Sequence, residues 1–337
     1  MCGICGIVRM RSRPIEESQI ASLLLGIESR GRHATGIVLI NEGDPEPKIL
    51  KAAQASSRFL TTKDYSEFIK SYLSRRTQIV LGHTRHWTTG PPTNNNNNHP
   101  LYAGKSAIVH NGIISNDDEL FEKLGLERKA ETDSDIIRAI VDEHGLTKKG
   151  VRELGKISGS IACAIVDNRT PGVLLLRSSN PLELGVARDY LFWASEKRAI
   201  AVATKTWQKL HGIITRRKTF DVDYQRVPAD SAWFIDPAEG LKWHQEFKTS
   251  PYTGNYSSYR DYGYSGSWWD DEGSLEDINK RIYGVMERKV ICNKCHKTYS
   301  IAKGHETTPM SRLQCPECKV SLADGTELFS RIDRKDY

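Results

Sequence analysis

Cys2 follows the initiator methionine, and loss of Met1 would leave one residue carrying both a free thiol and a free α-amine. An α-amine has a reference pKa of about 7.7–8.0, so a usable fraction is neutral near pH 7 and can take the thiol proton directly or through water. That is the chemistry of an N-terminal nucleophile served by its own amine as base. A cysteine at position 2 means nothing by itself; its neighbours decide. A second chemical signal stands at the other end of the chain. Cys292-Asn-Lys-Cys295 and Cys315-Pro-Glu-Cys318 form two C-x-x-C knuckles with nineteen residues between them. Four thiolates at this spacing can close a tetrahedral Zn2+ site of the ribbon type. A redox pair explains one knuckle but not two, and His296 and His305 fit worse by offset. The segment is too short for a stable core of its own, so the metal would supply folding energy. Lys294, Lys297, Lys303, Arg312 and Lys319 make it basic. A contact to protein or nucleic acid and a purely structural staple for the tail stand as equal readings.

The bulk numbers frame these signals. With 337 residues the chain favours two domains or one large domain with an appendage. Hydrophobic residues make up 38%, enough for a core. The net charge of +6, from 48 basic and 42 acidic residues, describes a mixed solvated surface and does not establish nucleic-acid binding. No apolar run approaches the roughly 18–20 residues of a membrane span. The start, MCGICGIVRMRSR, carries its charges after the apolar stretch, unlike a signal peptide. A cytoplasmic location is the expectation, and the seven cysteines then point to catalysis and metal binding before disulfides.

Something must position Cys2. Gly3 to Val8 and Thr35 to Ile40 are apolar runs of strand length, and Ile15 to Ser29 between them repeats Ile20, Leu23, Leu24 and Ile27 at helical spacing. Further strands are expected at Gln78–Thr84, Ser106–His110, Ser160–Asp167, Val173–Arg177, Leu191–Ala194 and Ala232–Ile235. Thr132 is expected to begin a helix, with Asp135 as a weak capping box and Ile136, Ile137, Ile140 and Val141 as its apolar stripe. Many strands without regular βα alternation favour a layered fold over a doubly wound sheet. The composition then shifts. Residues 2–245 read as one α/β unit, 246–275 as a Tyr/Ser/Gly-rich linker, and 276–330 as a short helix (Ser274–Glu287) plus the ribbon. The linker's aromatics fit stacking on a partner and lying on the protein's own surface about equally well. Asn94–Asn98 is a low-complexity loop to which no chemistry is assigned.

The opening MCGICGIV resembles that of class II, N-terminal-cysteine glutamine amidotransferases, the glutaminase domain of glucosamine-6-phosphate synthase among them. IESRGRHATGIVLI is similar to that family's Arg-Gly segment, LGHTRHWTTGPPTNNNNNHP to its His-Thr-Arg stretch, and AIVHNGIISNDDEL to its His-Asn-Gly stretch. AETDSDIIRAIV resembles its Thr-Asp-Ser/Thr segment, and SGSIACAIVDNRTPGVLLLRSSNPLELGV its later strand pair. The matches run in family order over roughly residues 2–200.

The resemblance implies an α+β fold, the four-layer αββα N-terminal-nucleophile fold, here with a zinc-ribbon appendage. It implies Cys2 as nucleophile, attacking the side-chain amide of glutamine through a thioester, with Asn111 and Gly112 as oxyanion donors on a turn just after an apolar strand. Arg85 would hold the substrate α-carboxylate by its fork and Asp133 the α-ammonium, where alone each would read as half of a surface ion pair. Thr88 and His99 would line or neighbour the glutamine site, and Arg30 and Gly31 would hold a loop near the nucleophile. Two departures concern the pocket lid: His86 stands where glucosamine-6-phosphate synthase has Trp, and Thr89 where it has His. Cys5 replaces an apolar residue and reads as core. Family enzymes pass ammonia to a synthase domain; none is recognisable after residue 245, so an acceptor protein in trans is expected, with a free-standing glutaminase as the alternative. Two other readings compete. An amidohydrolase for another amide is disfavoured by Arg85 with Asp133. The other is a non-catalytic regulatory or nucleic-acid-binding protein acting through the ribbon.

Overall fold

The computed structural model describes residues 1–204, 207–210, 213–216, 222–250, 287–292, 298–302 and 329–331. The chain divides into two units, Met1–Ala203 with Asp221–Glu272, and Thr204–Phe220 with Gly273–Tyr337.

The first unit begins β1 (Gly3–Arg9), α1 (Glu17–Gly26), β2 (Ala34–Asn41), β3 (Asp44–Ala52), α2 (Ser56–Phe59), α3 (Lys63–Tyr72) and β4 (Thr77–Arg85). It continues β5 (Leu101–Tyr102), β6 (Ser106–Ile114), α4 (Asp117–Leu124), α5 (Asp135–His144), α6 (Lys148–Leu154), β7 (Gly159–Asp167) and β8 (Thr170–Arg177). Then come β9 (Glu183–Val186), β10 (Tyr190–Ala194) and α7 (Lys197–Ala203). After β11 (Trp207–Leu210) and β12 (Ile213–Arg216), which pair with each other in the second unit, the first unit closes with β13 (Asp223–Arg226), β14 (Ser231–Asp236) and β15 (Gly240–Glu246).

The first unit is a mixed α/β fold built on two antiparallel sheets. One runs β13-β9-β10-β1-β4-β2-β3, the other β15-β14-β8-β7-β6-β5. Side chains alternate across a strand, so each inner strand feeds two cores. In β7, Ala162, Ala164 and Val166 join Ile4, Val8, Val38, Ile79 and Leu81 of the first sheet in a core shared by both sheets. Ile161, Cys163 and Ile165 point the other way and pack with Ile136, Ile140 and Val141 of α5. A one-residue slip would exchange these two sets, so the register is held from both faces. On the far side of the first sheet, Leu24 of α1 sits over Gly82, and Gly26 meets α7 so closely that an added Cβ would lie 2.6 Å from Ala199 Cα.

The expected strands and the helix after Pro14 are present. Two expectations are corrected. β6 does not end at His110: it pairs with β7 through Asn111↔Ala162 and Gly112↔Ile161 to Ile114↔Gly159, so the His-Asn-Gly segment is strand and not turn. Glycine is needed there because the chains approach so closely that a Cβ at Gly112 would fall 1.8 Å from the Ser160 carbonyl oxygen. And α5 begins at Asp135, not Thr132. The Asp135 carboxylate turns to the Lys129 and Ala130 N–H groups and to Arg138, which leaves residues 132–134 as a turn rather than a capping box.

In the second unit β16 (Glu287–Cys292) pairs antiparallel with β17 (Thr298–Ala302) and β18 (Phe329–Arg331). Of the helix expected at Ser274–Glu287 only Glu287 is described, and it opens a strand; the rest lies outside the described residues. So do Cys295, Cys315, Cys318 and most of the linker from 251 onward. Among the described residues no helix is long and apolar enough to cross a membrane.

Candidate active site

Cys2 enters the site from the start of β1. The pairing Gly3↔Thr84 lays it beside the end of β4, and its Sγ lies 3.6 Å from the His86 carbonyl oxygen. Glycine at position 3 is required, since a Cβ would come 2.7 Å from Thr84 Oγ1 and 2.9 Å from Ile27 Cβ. Arg30 Nε donates to the Cys2 carbonyl at 2.8 Å while its Nη1 stands 3.6 Å from Glu196. Gly31 lets that loop touch the end of β4, where a Cβ would lie 2.3 Å from the Arg85 carbonyl carbon. Arg30 and Gly31 therefore fix the backbone on which the thiol is mounted.

Burial pushes the Cys2 thiol above its ordinary pKa; the His86 contact, the terminal amine and Arg85 pull it partly back, and Asp133 pushes it up again. Burial also lowers the amine at the chain terminus, carried here by Met1. Cys5 and Cys163 are wholly buried among apolar neighbours, which drives their thiols far upward and marks them as core.

Arg85, the last residue of β4, is buried. Its Nη1 donates to Asn98 Oδ1 at 2.8 Å, and its Nη2 donates to the Thr89 and Gly90 carbonyls at 2.5 and 2.7 Å. Three of the five guanidinium N–H groups thus hold the loop after β4. The sequence missed this hold on the loop. It also missed the asparagine run: Asn97 Oδ1 accepts from Glu131 N–H, and Asn98 Nδ2 donates to the Pro92 carbonyl, so the low-complexity loop is a specific hydrogen-bonded structure. An Asn-rich run next to two prolines carries no periodic signal that could have shown it.

Asn111, on β6, is 1% exposed, and neither its Nδ2 nor its Oδ1 has a partner. A buried amide left unpaired costs about 1–3 kcal/mol, which is tolerated where a ligand supplies the partner. Its backbone carbonyl accepts from Asn180 Nδ2 at 2.8 Å, a support that no motif announced. Two links hold β6 in place. His83 Nε2 lies 3.1 Å from the His110 carbonyl oxygen, and His110 Nδ1 lies 2.8 Å from Ser134 Oγ, which contacts Asp133 Oδ1 at 3.2 Å. Asp133 Oδ2 accepts from the Ile114 N–H at 2.7 Å, so the carboxylate is tied to the end of the same strand.

Thr88 and Asp133 share a cleft of about 360 Å³ with Thr89, Ile113, Arg128 and Glu131. Cys2, Arg85, Asn111 and Gly112 do not line it. His99 is buried and stacked on His83 with ring centroids 4.3 Å apart, so it lies under the loop rather than on the cleft. His86 and Trp87 are exposed beside His33, whose Nδ1 accepts from the Trp87 N–H.

A family model for a glutamine amidotransferase domain matches residues 83–202, the stretch that holds Arg85, Asn111, Gly112 and Asp133. This chain carries a glutamine amidotransferase domain. It is similar to the glutamine–fructose-6-phosphate aminotransferase of Sulfurisphaera tokodaii, 31% identical over 216 residues, covering 61% of this chain and 35% of that one. The enzyme of the same name from Sulfolobus acidocaldarius is 30% identical over 261 residues, covering 73% and 42%. That from Acinetobacter baylyi is 32% identical over 304 residues, covering 86% and 45%. The chain thus spans less than half the length of these relatives. The amidotransferase domain shares its fold with two solved structures. One is an allosteric regulatory enzyme of purine biosynthesis, with a TM-score of 0.55 and 21% identity over 74% of this chain and 50% of that one. The other is the glutamine phosphoribosylpyrophosphate amidotransferase of B. subtilis, with a TM-score of 0.54 and 21% identity over 73% and 49%.

Proposed function

We propose that the domain hydrolyses the side-chain amide of glutamine at Cys2, on the four-layer αββα N-terminal-nucleophile plan. One observation carries the reading: the Cys2 thiol lies in the field of both a cation, Arg85, and an anion, Asp133, an opposite-charge pair suited to a free amino acid's carboxylate and ammonium. With Met1 removed, the Cys2 amine takes the thiol proton as Sγ attacks the amide carbon. The oxyanion is held by the Asn111 amide and the Gly112 N–H. Collapse breaks the C–N bond, and the amine returns its proton to the leaving nitrogen, releasing ammonia. Water then attacks the thioester with the amine as base, giving glutamate and the free thiol. Thr88 lines the glutamine site. The ammonia is consumed by an acceptor site outside this domain.

Arg85→Lys tests the recognition step. Lysine cannot hold the Thr89 and Gly90 carbonyls and still present a fork to a carboxylate. The KM for glutamine is expected to rise by about tenfold or more, with a smaller change in kcat. An unchanged KM would remove Arg85 from carboxylate binding.

For the second unit we propose a structural Zn2+ held by Cys292, Cys295, Cys315 and Cys318. Its support is the donor chemistry together with the place of Cys292, at the end of β16 and just before the connection to β17 in which Cys295 falls. Metal analysis of the purified protein is expected to give about one zinc per chain, falling to near zero in Cys315→Ser with glutaminase activity retained. Wild-type protein free of zinc would overturn this assignment.

A further inference from the structure

Lys51, in β3, lies outside every motif that carries the proposed chemistry. It pairs with Gly36 of β2, and at Gly36 the loop after β4 comes down so closely that a Cβ would lie 2.1 Å from the His99 carbonyl oxygen. The lysine spans that contact. Its Nζ donates to the Asn98 carbonyl at 2.8 Å and to the Pro100 carbonyl at 3.0 Å, and its own carbonyl accepts from Asn95 Nδ2 at 2.8 Å. Asn98 is completely buried and passes the grip on, its Oδ1 accepting from Arg85 Nη1 and its Nδ2 donating to the Pro92 carbonyl and to Asn95 Oδ1.

We propose that Lys51 is a positioning residue for substrate recognition, acting through Asn98 to aim the Arg85 guanidinium at the substrate's α-carboxylate. The inference rests on the glutamine reading given above. The ammonium's setting supports it. Burial, then the like charge of Arg85, draw Lys51 down to about 8, and the buried His83 and His99 also lie within its field. With the folded value below the ordinary 10.5, the charged lysine costs stability at every pH below about 8, and the cost fades as pH rises toward 10.5. A cation held at a cost against two loop carbonyls is placed for what it orients rather than for folding energy. Such hydrogen bonds fix geometry strongly because the donor is charged.

The test uses Lys51→Met, which keeps the stem and removes the donors, with Lys51→Arg and Asn98→Ala beside it. Glutamine kinetics are combined with two labels of Cys2. Diazo-oxo-norleucine carries the amino-acid carboxylate and needs Arg85; iodoacetamide does not. Lys51→Met is expected to raise KM about tenfold with kcat within about twofold, and to slow diazo-oxo-norleucine labelling while leaving iodoacetamide labelling unchanged. Lys51→Arg restores much of the loss. Lys51→Met/Asn98→Ala is no worse than the worse single variant, since both cut one relay. Active wild type with an unchanged KM in Lys51→Met overturns the inference and leaves the glutamine reading standing. So does a loss of kcat and of both labels together, the mark of a merely structural residue. Should Lys51→Met fail to fold, an unchanged KM in Asn98→Ala overturns the relay. Wild type that does not turn over glutamine overturns the underlying reading and this inference with it.

Discussion

Cys2→Ala is expected to lower glutamine hydrolysis by about four orders of magnitude or more, the scale on which loss of a catalytic nucleophile is felt. The fold should not suffer. The thiol's polar contact is the 3.6 Å approach to the His86 carbonyl, and the residue is only half-buried, so its loss removes little packing. The backbone that carries it is held independently by Arg30 on the Cys2 carbonyl and by the pairing of Gly3 with Thr84. Alanine is also small enough to leave Met1 removal intact, so the variant isolates the thiol from the amine. The measurement is glutamate release with thermal melting on the same preparations. Activity and melting temperature falling together would show Cys2 to be a structural residue instead.

Asn111→Ala should lower kcat by about 10²–10³ with little change in KM, since an oxyanion donor strengthens its contact only as charge develops. The stability expectation runs the other way. In the free protein both ends of the Asn111 amide are buried without partners, so deleting them relieves a desolvation cost. A melting temperature equal to or above that of wild type, with kcat strongly reduced, is the expected pair of results, and it is the usual sign of a group kept for function at the expense of stability. A raised KM with unchanged kcat would place Asn111 in ground-state binding and not at the oxyanion.

Much of this architecture is legible in the sequence, for a physical reason. β1, β4, β6 and β7 are buried on both faces, so they stand out as apolar runs, and α1 shows its buried stripe at helical spacing. Elements whose form depends on distant partners are less visible. β3 reads DPEPKILKA, with two prolines and three charges before its apolar pair; it survives as a strand because it is the edge of its sheet. The start of α5 lies later than the sequence suggests because Asp135 serves the Lys129–Ala130 backbone and Arg138 instead of a capping box. The strand β6 runs further than the sequence suggests because glycine normally signals a turn, while Gly112 answers the close approach of β7. At the site, reactive residue types could be named from their order along the chain. What holds them could not: Asn98 and Lys51 behind Arg85 and Asn180 behind Asn111 are polar residues in a loop, an edge strand and a loop, with no spacing that betrays their partners.

In the proposed reaction Cys2, freed by loss of Met1, is the nucleophile toward glutamine. Peptide mapping by mass spectrometry after treating the purified protein with diazo-oxo-norleucine tests it most directly. The thiolate displaces N2 from the diazo carbon, so the adduct marks the attacking sulfur. The expected result is an N-terminal peptide that begins at Cys2 and carries one label, with Cys5 and Cys163 unmodified and the label suppressed by added glutamine. Label mainly on Cys5 or Cys163, or a fully retained Met1 on active protein, would contradict it.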